Sequence, residues 1–186
     1  MNVYDFDNTI YRGDSTADFF FYCARRYPAV LRRLPRIAGK GVSYLFGRMH
    51  LQAFKENLFS FLPLLPNCEA AVASFWDGHL RYIKPWYLHR QRGDDVVISA
   101  SPEFLLRPVC AKLGVSSLLA SPVDPRTGIF LGENCHGEEK VRRFRAFFPR
   151  GEIEEFFSDS HNDDPLAKVS KKAFIVKGDR LLPWKK

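Results

Sequence analysis

Two aspartates near the start of the sequence, Asp5 and Asp7, carry the clearest chemical potential. They follow an apolar run and lie two positions apart, so in an extended segment both side chains point to the same side. Paired carboxylates repel each other and are costly to bury without a cation or a proton between them. Carboxylate oxygens suit Mg²⁺. The pattern Asp-x-Asp-x-Thr, which ends at Thr9, therefore predicts a metal site, with an acidic turn after an edge strand as the alternative.

Later segments end in polar side chains that suit the same chemistry. One apolar run ends at Ser99 and another ends at Asp159, and between them Lys140 opens a basic segment of helical character. In an open parallel sheet, ligands bind beyond the carboxyl ends of the strands. Asp5, Ser99 and Asp159 are therefore expected to converge at one edge of a sheet.

The order of these motifs resembles that of the haloacid dehalogenase superfamily of phosphohydrolases. The segments Ser-Ala-Ser-Pro-Glu-Phe at 99–104 and Ser-Asp-Ser-x-Asn-Asp-x-Pro-Leu at 158–166 are similar to those of the subfamily that contains phosphoserine phosphatase. The resemblance covers residues 2–176 and is specific at the four motifs. It implies a Mg²⁺-dependent phosphatase with a helical cap over the active site.

The resemblance also implies a catalytic role for each matching residue. Asp5 is the nucleophile, which forms an aspartyl-phosphate. Asp7 protonates the leaving oxygen and then activates the hydrolytic water, and neighbouring carboxylates are expected to raise its pKa. Ser99 binds a phosphoryl oxygen, and Lys140 balances the negative charge of the nucleophile and the phosphate.

A metal site and a phosphate site are implied in the same way. The Mg²⁺ ligands are the carboxylates of Asp5 and Asp159 and the backbone carbonyl of Asp7. Asp163 either supports the metal-bound water or orients Lys140. Ser101 has a secondary part. The predicted contacts to the substrate phosphate are Asn8, Thr9, Ser99, Ala100 and Lys140. Asn8 and Thr9 are expected to offer backbone donors.

The pattern of apolar runs predicts an α/β fold: a Rossmann-like parallel sheet with helices on both faces and an inserted helical cap. The core is predicted to comprise residues 1–14 and 93–186, and the cap residues 15–92, with Ser15 as a helix N-cap and Asp164 as another. The predicted strands cover residues 2–7, 94–99, 117–121, 152–158 and 173–176. Helices outside the cap are predicted at 102–113, 138–148 and 165–169, and a hairpin at 124–132.

The excess positive charge of the chain, +7 in total, lies in the cap segment. Residues 15–92 contain 12 Lys and Arg against 4 Asp and Glu. This balance favours an anionic partner, either a phosphorylated substrate or an anionic membrane surface, or else a solvated basic face. The apolar residues between the cations favour packing within the cap, with a helix on a membrane interface as the alternative. Nucleic acid is not expected, because no recognition module is visible.

The leading hypothesis is a Mg²⁺-dependent phosphomonoesterase, and a catalytically silent phosphate-binding protein is the alternative. The substrate is either a lipid or amphiphilic phosphate or a small soluble phosphate, such as that of an amino acid or a sugar. Phosphoserine is disfavoured, because phosphoserine phosphatases carry an acidic pair where this chain has Tyr11-Arg12-Gly13-Asp14. Four separated cysteines and the lack of an 18-residue apolar run predict a cytoplasmic protein, with membrane-peripheral placement as the alternative. Either a monomer or a homodimer is compatible with the sequence.

Overall fold

The chain folds around a six-stranded sheet, seen in a computed structural model that describes residues 1–185. The order across the sheet is β3-β2-β1-β4-β5-β6, and all neighbouring strands are parallel except β5 and β6. The predicted α/β fold is confirmed, with an antiparallel edge strand that the prediction lacks. The strands are β1 (Val3–Tyr4), β2 (Val96–Pro102), β3 (Ser117–Ser121), β4 (Ile153–Ser158), β5 (Ser170–Lys177) and β6 (Arg180–Pro183).

Helices connect the strands and fill the long insertion after β1. Within residues 1–185 they are α1 (Ser15–Arg26), α2 (Leu34–Leu45), α3 (Leu51–Phe59), α4 (Cys68–His79), α5 (Pro85–Arg90), α6 (Glu103–Lys112), α7 (Glu138–Phe147) and α8 (Asp164–Lys168). Short 3₁₀ turns at Pro28–Arg33, Leu62–Leu64, Leu80–Tyr82 and His161–Asp163 join several of them.

Strand β1 is short but lies at the centre of the sheet. Val3 is paired with Val96 of β2 on one side and with Phe156 of β4 on the other. Successive side chains of a strand point to opposite faces, so Val3 and Tyr4 enter different layers. Both are fully buried, as a parallel strand covered on two faces requires.

Each face of the sheet has its own apolar layer of helices. On the Val3 side, α7 and α8 contribute Phe144 and Leu166. On the Tyr4 side, α6 packs together with the inserted helices and contributes Leu105. Because β1 is parallel to both β2 and β4, the carboxyl ends of these central strands lie at one edge of the sheet.

The inserted segment is helical, as predicted, and it shares one hydrophobic cluster with the sheet. Phe6, directly after β1, meets Trp76 of α4 edge-to-face with ring centroids 5.9 Å apart. Tyr87 of α5 lies 5.1 Å from Tyr4 in the same manner. A continuous apolar core therefore joins the insertion to the sheet, while the division into domains at residues 14 and 93 stays a prediction.

Two predicted helix caps are wrong by one residue. Asp14, and not Ser15, caps α1, because its carboxylate accepts a hydrogen bond of 2.9 Å from the backbone N–H of Ala17. Asp163, and not Asp164, is the N-cap of α8, and Asp164 accepts a 2.9 Å hydrogen bond from the indole of Trp184.

Element boundaries differ from the prediction in other places. The first strand ends at Tyr4, because the chain turns at the aspartates. The segment 124–132 is a loop closed by one bridge between Val123 and Phe130 and has no strands of its own. In the described part of the chain, no single helix is both long enough and apolar enough to cross a bilayer. The segments 51–64 and 68–82 have that length and hydropathy only when taken together, and a bend of 103° separates them.

Candidate active site

A cavity of about 330 Å³ opens at the carboxyl ends of β1, β2 and β4. Ligands bind at this edge in open parallel sheets. Thr9 is the predicted site residue that does not line the cavity, since it is fully buried behind it. The predicted residues that do line it are Asp5, Asp7, Asn8, Ser99, Ala100, Lys140, Asp159 and Asp163.

Lys140 of α7 lies between two carboxylates in this cavity. Its Nζ is 2.8 Å from Oδ1 of Asp5 and 2.7 Å from Oδ2 of Asp163. Ser158, at the end of β4, donates a further 2.7 Å hydrogen bond to the same oxygen of Asp163. Burial alone would lower the pKa of Lys140, but the two carboxylates outweigh it and raise that pKa, so Lys140 is a cation. Of the two roles predicted for Asp163, the contacts favour the orientation of Lys140.

The carboxylate of Asp5 is nearly enclosed, with 8% of the residue exposed. Burial raises the pKa of Asp5, and although Lys140 opposes this, Asp163 and Asp7 raise it further. An additional cation in the cavity would favour the ionised carboxylate. The electrostatics of Asp5 therefore suit a site that holds a metal ion.

Asp7 is held by the first turn of α1 and by β2. Its Oδ1 accepts a 2.6 Å hydrogen bond from the backbone N–H of Ser15, and its Oδ2 accepts one from the hydroxyl of Ser101. Its pKa is raised to about 6, because burial and the charge of Asp14 outweigh these hydrogen bonds. Neighbouring carboxylates were expected to be the main cause, whereas burial is the larger one.

Asp7→Asn is expected to stabilise the metal-free protein at neutral pH. The raised pKa means that the ionised carboxylate destabilises the fold above about pH 6, while below about pH 4 both states are protonated and the gain disappears. Because Asp7 is only partly buried, water screens this penalty and the gain is about 1–2 kcal/mol. Urea unfolding in EDTA, at neutral pH and below about pH 4, measures this gain in stability, and the exposed Asp77→Asn is the control. A less stable Asp7→Asn protein at neutral pH would contradict this account.

A buried lysine, Lys84, stabilises the turn that follows Asp7. Asn8 has a φ of 54°, a left-handed conformation that asparagine tolerates better than most residues. Lys84 donates hydrogen bonds to the carbonyl of Asn8 and, at 2.7 Å, to that of Gly178. Asn8 and Thr9 were predicted to offer backbone donors, and in this structure their N–H groups donate to the carbonyls of Gly13 and Phe6 within the turn.

The end of β2 contributes a short polar segment. Ser99 accepts a 3.1 Å hydrogen bond from the backbone N–H of Ser101, which leaves its own hydroxyl proton available in the cavity. Ser101 is more than a secondary residue, because it binds Asp7 and lies 3.0 Å from the hydroxyl of Thr16. The carbonyl of Ala100 accepts a 2.9 Å hydrogen bond from Ser121. Ala100 thus has its carbonyl engaged within the protein.

Lys55, which no sequence motif indicated as a site residue, enters the cavity from α3. Its Nζ donates to the carbonyl of Ala100 at 2.8 Å and to Oδ1 of Asn134 at 3.1 Å. Burial lowers the pKa of Lys55 to about 8. The inserted helix therefore adds a second lysine to the site beside Lys140, together with apolar lining from Leu51, Phe54 and Leu58.

The donor set of the cavity fits Mg²⁺. Asp5 has an oxygen, Oδ2, without a hydrogen-bond partner among residues 1–185, and Asp159 lines the same cavity with a pKa that burial raises. No three His, Cys, Asp or Glu side chains of the described chain converge as a metal cage. Mg²⁺ commonly takes one or two carboxylates and keeps several waters, so the two carboxylates and the carbonyl of Asp7 form a suitable set. Asp163 was predicted to support the metal-bound water or to orient Lys140, and its Oδ2 accepts hydrogen bonds from Lys140 and Ser158.

The chain resembles several known proteins in sequence and in fold. The family of haloacid dehalogenase-like hydrolases matches residues 3–168. A histidinol-phosphatase of Neisseria meningitidis serogroup C (strain 8013) is 30% identical, over 96% of this chain and 90% of the relative. A phosphoserine phosphatase of Mycobacterium tuberculosis (strain H37Rv) is 24% identical, over 96% of this chain and 65% of the relative. A solved structure from Bordetella pertussis Tohama I, of unknown function, shares the fold with a TM-score of 0.79 at 22% identity, over 94% and 88% of the two chains.

Proposed function

We propose that this chain, which belongs to the family of haloacid dehalogenase-like hydrolases, cleaves phosphate monoesters through a covalent phosphate on Asp5. Within that family it is a phosphatase of the phosphoserine-phosphatase-like group. The observation that carries this proposal is the contact of Asp5 with Lys140, which is itself fixed by Asp163. It holds one carboxylate oxygen in place and leaves the other facing the cavity. A positioned carboxylate can attack phosphorus when nearby cations neutralise the phosphate.

The reaction divides into two displacements at phosphorus. In the first, an oxygen of Asp5 bonds to phosphorus, the bond to the ester oxygen breaks, and Asp7 gives its proton to the departing oxygen. In the second, Asp7 takes a proton from water, whose oxygen bonds to phosphorus as the bond to Asp5 breaks. Inorganic phosphate leaves and both aspartates return to their initial states. The raised pKa of Asp7 supports this assignment, because a proton donor must retain a proton near the working pH.

Charge on the transferred phosphoryl group is balanced by the residues around it. Lys140 supplies a fixed cation and Ser99 a hydroxyl donor at the end of β2. Mg²⁺ held by the carboxylates of Asp5 and Asp159 and the carbonyl of Asp7 would supply further positive charge at the phosphoryl oxygens. Heavy neutralisation is needed because phosphate monoesters hydrolyse extremely slowly without catalysis.

Magnesium is expected to stabilise the protein against heat, and Asp159→Asn is expected to remove most of that effect. A ligand that binds only the native state stabilises it by about 2.7 kcal/mol when present at a hundred times its Kd. Thermal unfolding with MgCl₂ and with EDTA measures the difference. Asp164→Asn alters an exposed carboxylate beside the cavity and is the matched control. Equal stabilisation of the wild type and Asp159→Asn would contradict the assignment of Asp159.

The substrate we propose is a small soluble phosphate monoester. The cavity volume of about 330 Å³ is at the lower end of the range for small-molecule sites. Its outer part combines the cation of Lys55 with the apolar side chains of Leu51, Phe54 and Leu58, which suits a compact ester with both a polar and an apolar side. The names of the relatives, a histidinol-phosphatase and a phosphoserine phosphatase, support the same class of substrate.

Release of phosphate from p-nitrophenyl phosphate, with Mg²⁺ and with EDTA, tests the chemistry. We expect release that depends on the metal, followed by preference for a small phosphorylated amino alcohol, amino acid or sugar in a substrate panel. Release that is unaffected by EDTA would contradict the metal requirement. Preference for a long-chain lipid phosphate would contradict the proposed substrate class.

A further inference from the structure

Helix α2 carries an apolar stripe that faces away from the protein. Leu34, Ala38, Val42 and Leu45 recur at helical spacing, and Phe46 follows directly. All five are exposed, Leu45 by 82% and Phe46 by 75%. We call these five residues the outer stripe. Single exposed apolar residues are ordinary, but a contiguous stripe along one helix marks an interaction surface.

Helix α2 packs on the rest of the protein through residues that do not belong to the outer stripe. Tyr44 stacks on Phe54 of α3, with ring centroids 5.1 Å apart. Gly41 lies against the same ring, and Ile37 packs on the main hydrophobic cluster. The helix therefore has one apolar face toward α3 and a second toward solvent.

The surroundings of the outer stripe are strongly basic. Eight Lys and Arg, and no Asp or Glu, occur between Phe19 and Lys55. Within the described chain, the seven other than Lys55 make no ion pair, so their charge is uncompensated. These seven are Arg25, Arg26, Arg32, Arg33, Arg36, Lys40 and Arg48.

We propose that the outer stripe of α2 docks this protein on an anionic lipid bilayer. A helix of 12 residues, about 18 Å long, can lie in the interface with its apolar face among the acyl chains and its cations near the headgroups. Anionic headgroups complement the uncompensated cations. A second copy of the chain is a poor occupant, because it would bring two basic segments of the same charge together. Nucleic acid would leave the apolar stripe without a partner.

The docking surface is separate from the catalytic residues but adjoins the cavity. Phe54, on which Tyr44 stacks, is also one of the apolar residues that line the site. Docking would therefore place the phosphatase site close to the bilayer without requiring that the substrate be a lipid. The proposal does not depend on the reaction, and its test measures binding alone.

Flotation of the protein with lipid vesicles tests the proposal. We expect strong association with vesicles of phosphatidylcholine and phosphatidylserine, weak association with phosphatidylcholine alone, and weakening by added salt. Leu45→Ser combined with Phe46→Ser should lower the partition coefficient at least about tenfold. Phe147→Ser removes a comparably exposed phenylalanine from α7, 63% exposed, and should leave binding unchanged.

Several outcomes would overturn the docking surface. One is a wild-type protein that does not float with phosphatidylserine vesicles, and another is a double variant that binds as well as the wild type. A dimer in light scattering that the double variant dissociates would assign the outer stripe to a second copy instead. Circular dichroism and release of p-nitrophenol show that each variant is folded, because none of the changed residues lines the cavity.

Discussion

Asp5→Asn is expected to lower the turnover of p-nitrophenyl phosphate by at least about a thousandfold while the fold remains intact, because an amide oxygen cannot form the covalent intermediate. The amide oxygen can still accept the hydrogen bond of Lys140, and Lys140 keeps Asp163 as an ion-pair partner. Steady-state kinetics at saturating Mg²⁺ measure the loss, and circular dichroism checks the fold.

A second readout separates the nucleophile from other roles of Asp5. Rapid quenching of the wild type during turnover should trap a phosphorylated peptide that contains Asp5, and the variant should yield none. Asp77→Asn, a change at an exposed site on α4, should behave as wild type in both assays. A phosphorylated protein recovered from Asp5→Asn would falsify the assignment of the nucleophile.

Lys140→Met is expected to have the largest effect on stability. The lysine is 2% exposed and neutralises Asp5 and Asp163, so its removal leaves two buried carboxylates without a cation. Breaking a buried ion pair in this way costs about 3–5 kcal/mol. Turnover should be lost as well, because the charge of the phosphate would no longer be balanced. Urea unfolding at neutral pH, with EDTA present, measures the destabilisation.

The pH dependence of this variant provides its own check. Without Lys140 the folded-state pKa of Asp5 rises further, so Asp5 takes up a proton as the pH falls and the difference in stability from the wild type becomes smaller. Lys171→Met removes an exposed lysine that pairs with Glu152 and should change stability by less than about 1 kcal/mol. A destabilisation that is the same at acidic and neutral pH would point to lost packing and not to unpaired charge.

Much of the site could be predicted because the polar residues follow apolar runs. A run that is long enough for a buried strand and ends at Asp5, Ser99 or Asp159 places a functional side chain at the carboxyl edge of a parallel sheet. The order of the motifs then identified Lys140, whose helix alone would have looked like an ordinary basic surface helix. Local pattern and motif order together predicted the five parallel strands and many of the residues that line the cavity.

Other parts of the site depend on contacts between distant segments. Lys55 meets Ala100 and Asn134, which are 45 and 79 positions away, and the apolar pattern of α3 does not indicate which neighbours it meets. Ser101 reaches Asp7 near the point where the pairing of β2 with β3 is irregular, and such an irregularity cannot be read from residue types.

The missed edge strand did have a local signal. Gly178 and Asp179 form the two-residue turn between paired residues Lys177 and Arg180, and Gly178 has a φ of 62°. Glycine in such a turn is typical of a hairpin. The short strand that follows is mostly exposed and ends in proline, so its composition gives little support to a strand assignment.

The central position of β1 has a consequence for synthesis of the chain. β1 is the first of the six strands to leave the ribosome, but its two neighbours begin only at Val96 and Ile153. Until β4 has been translated, Val3 and Tyr4 have an unpaired edge, which attracts other strands. A chain that ends before β4 is therefore expected to aggregate more readily than one that contains it, because the β4 side of β1 stays unpaired.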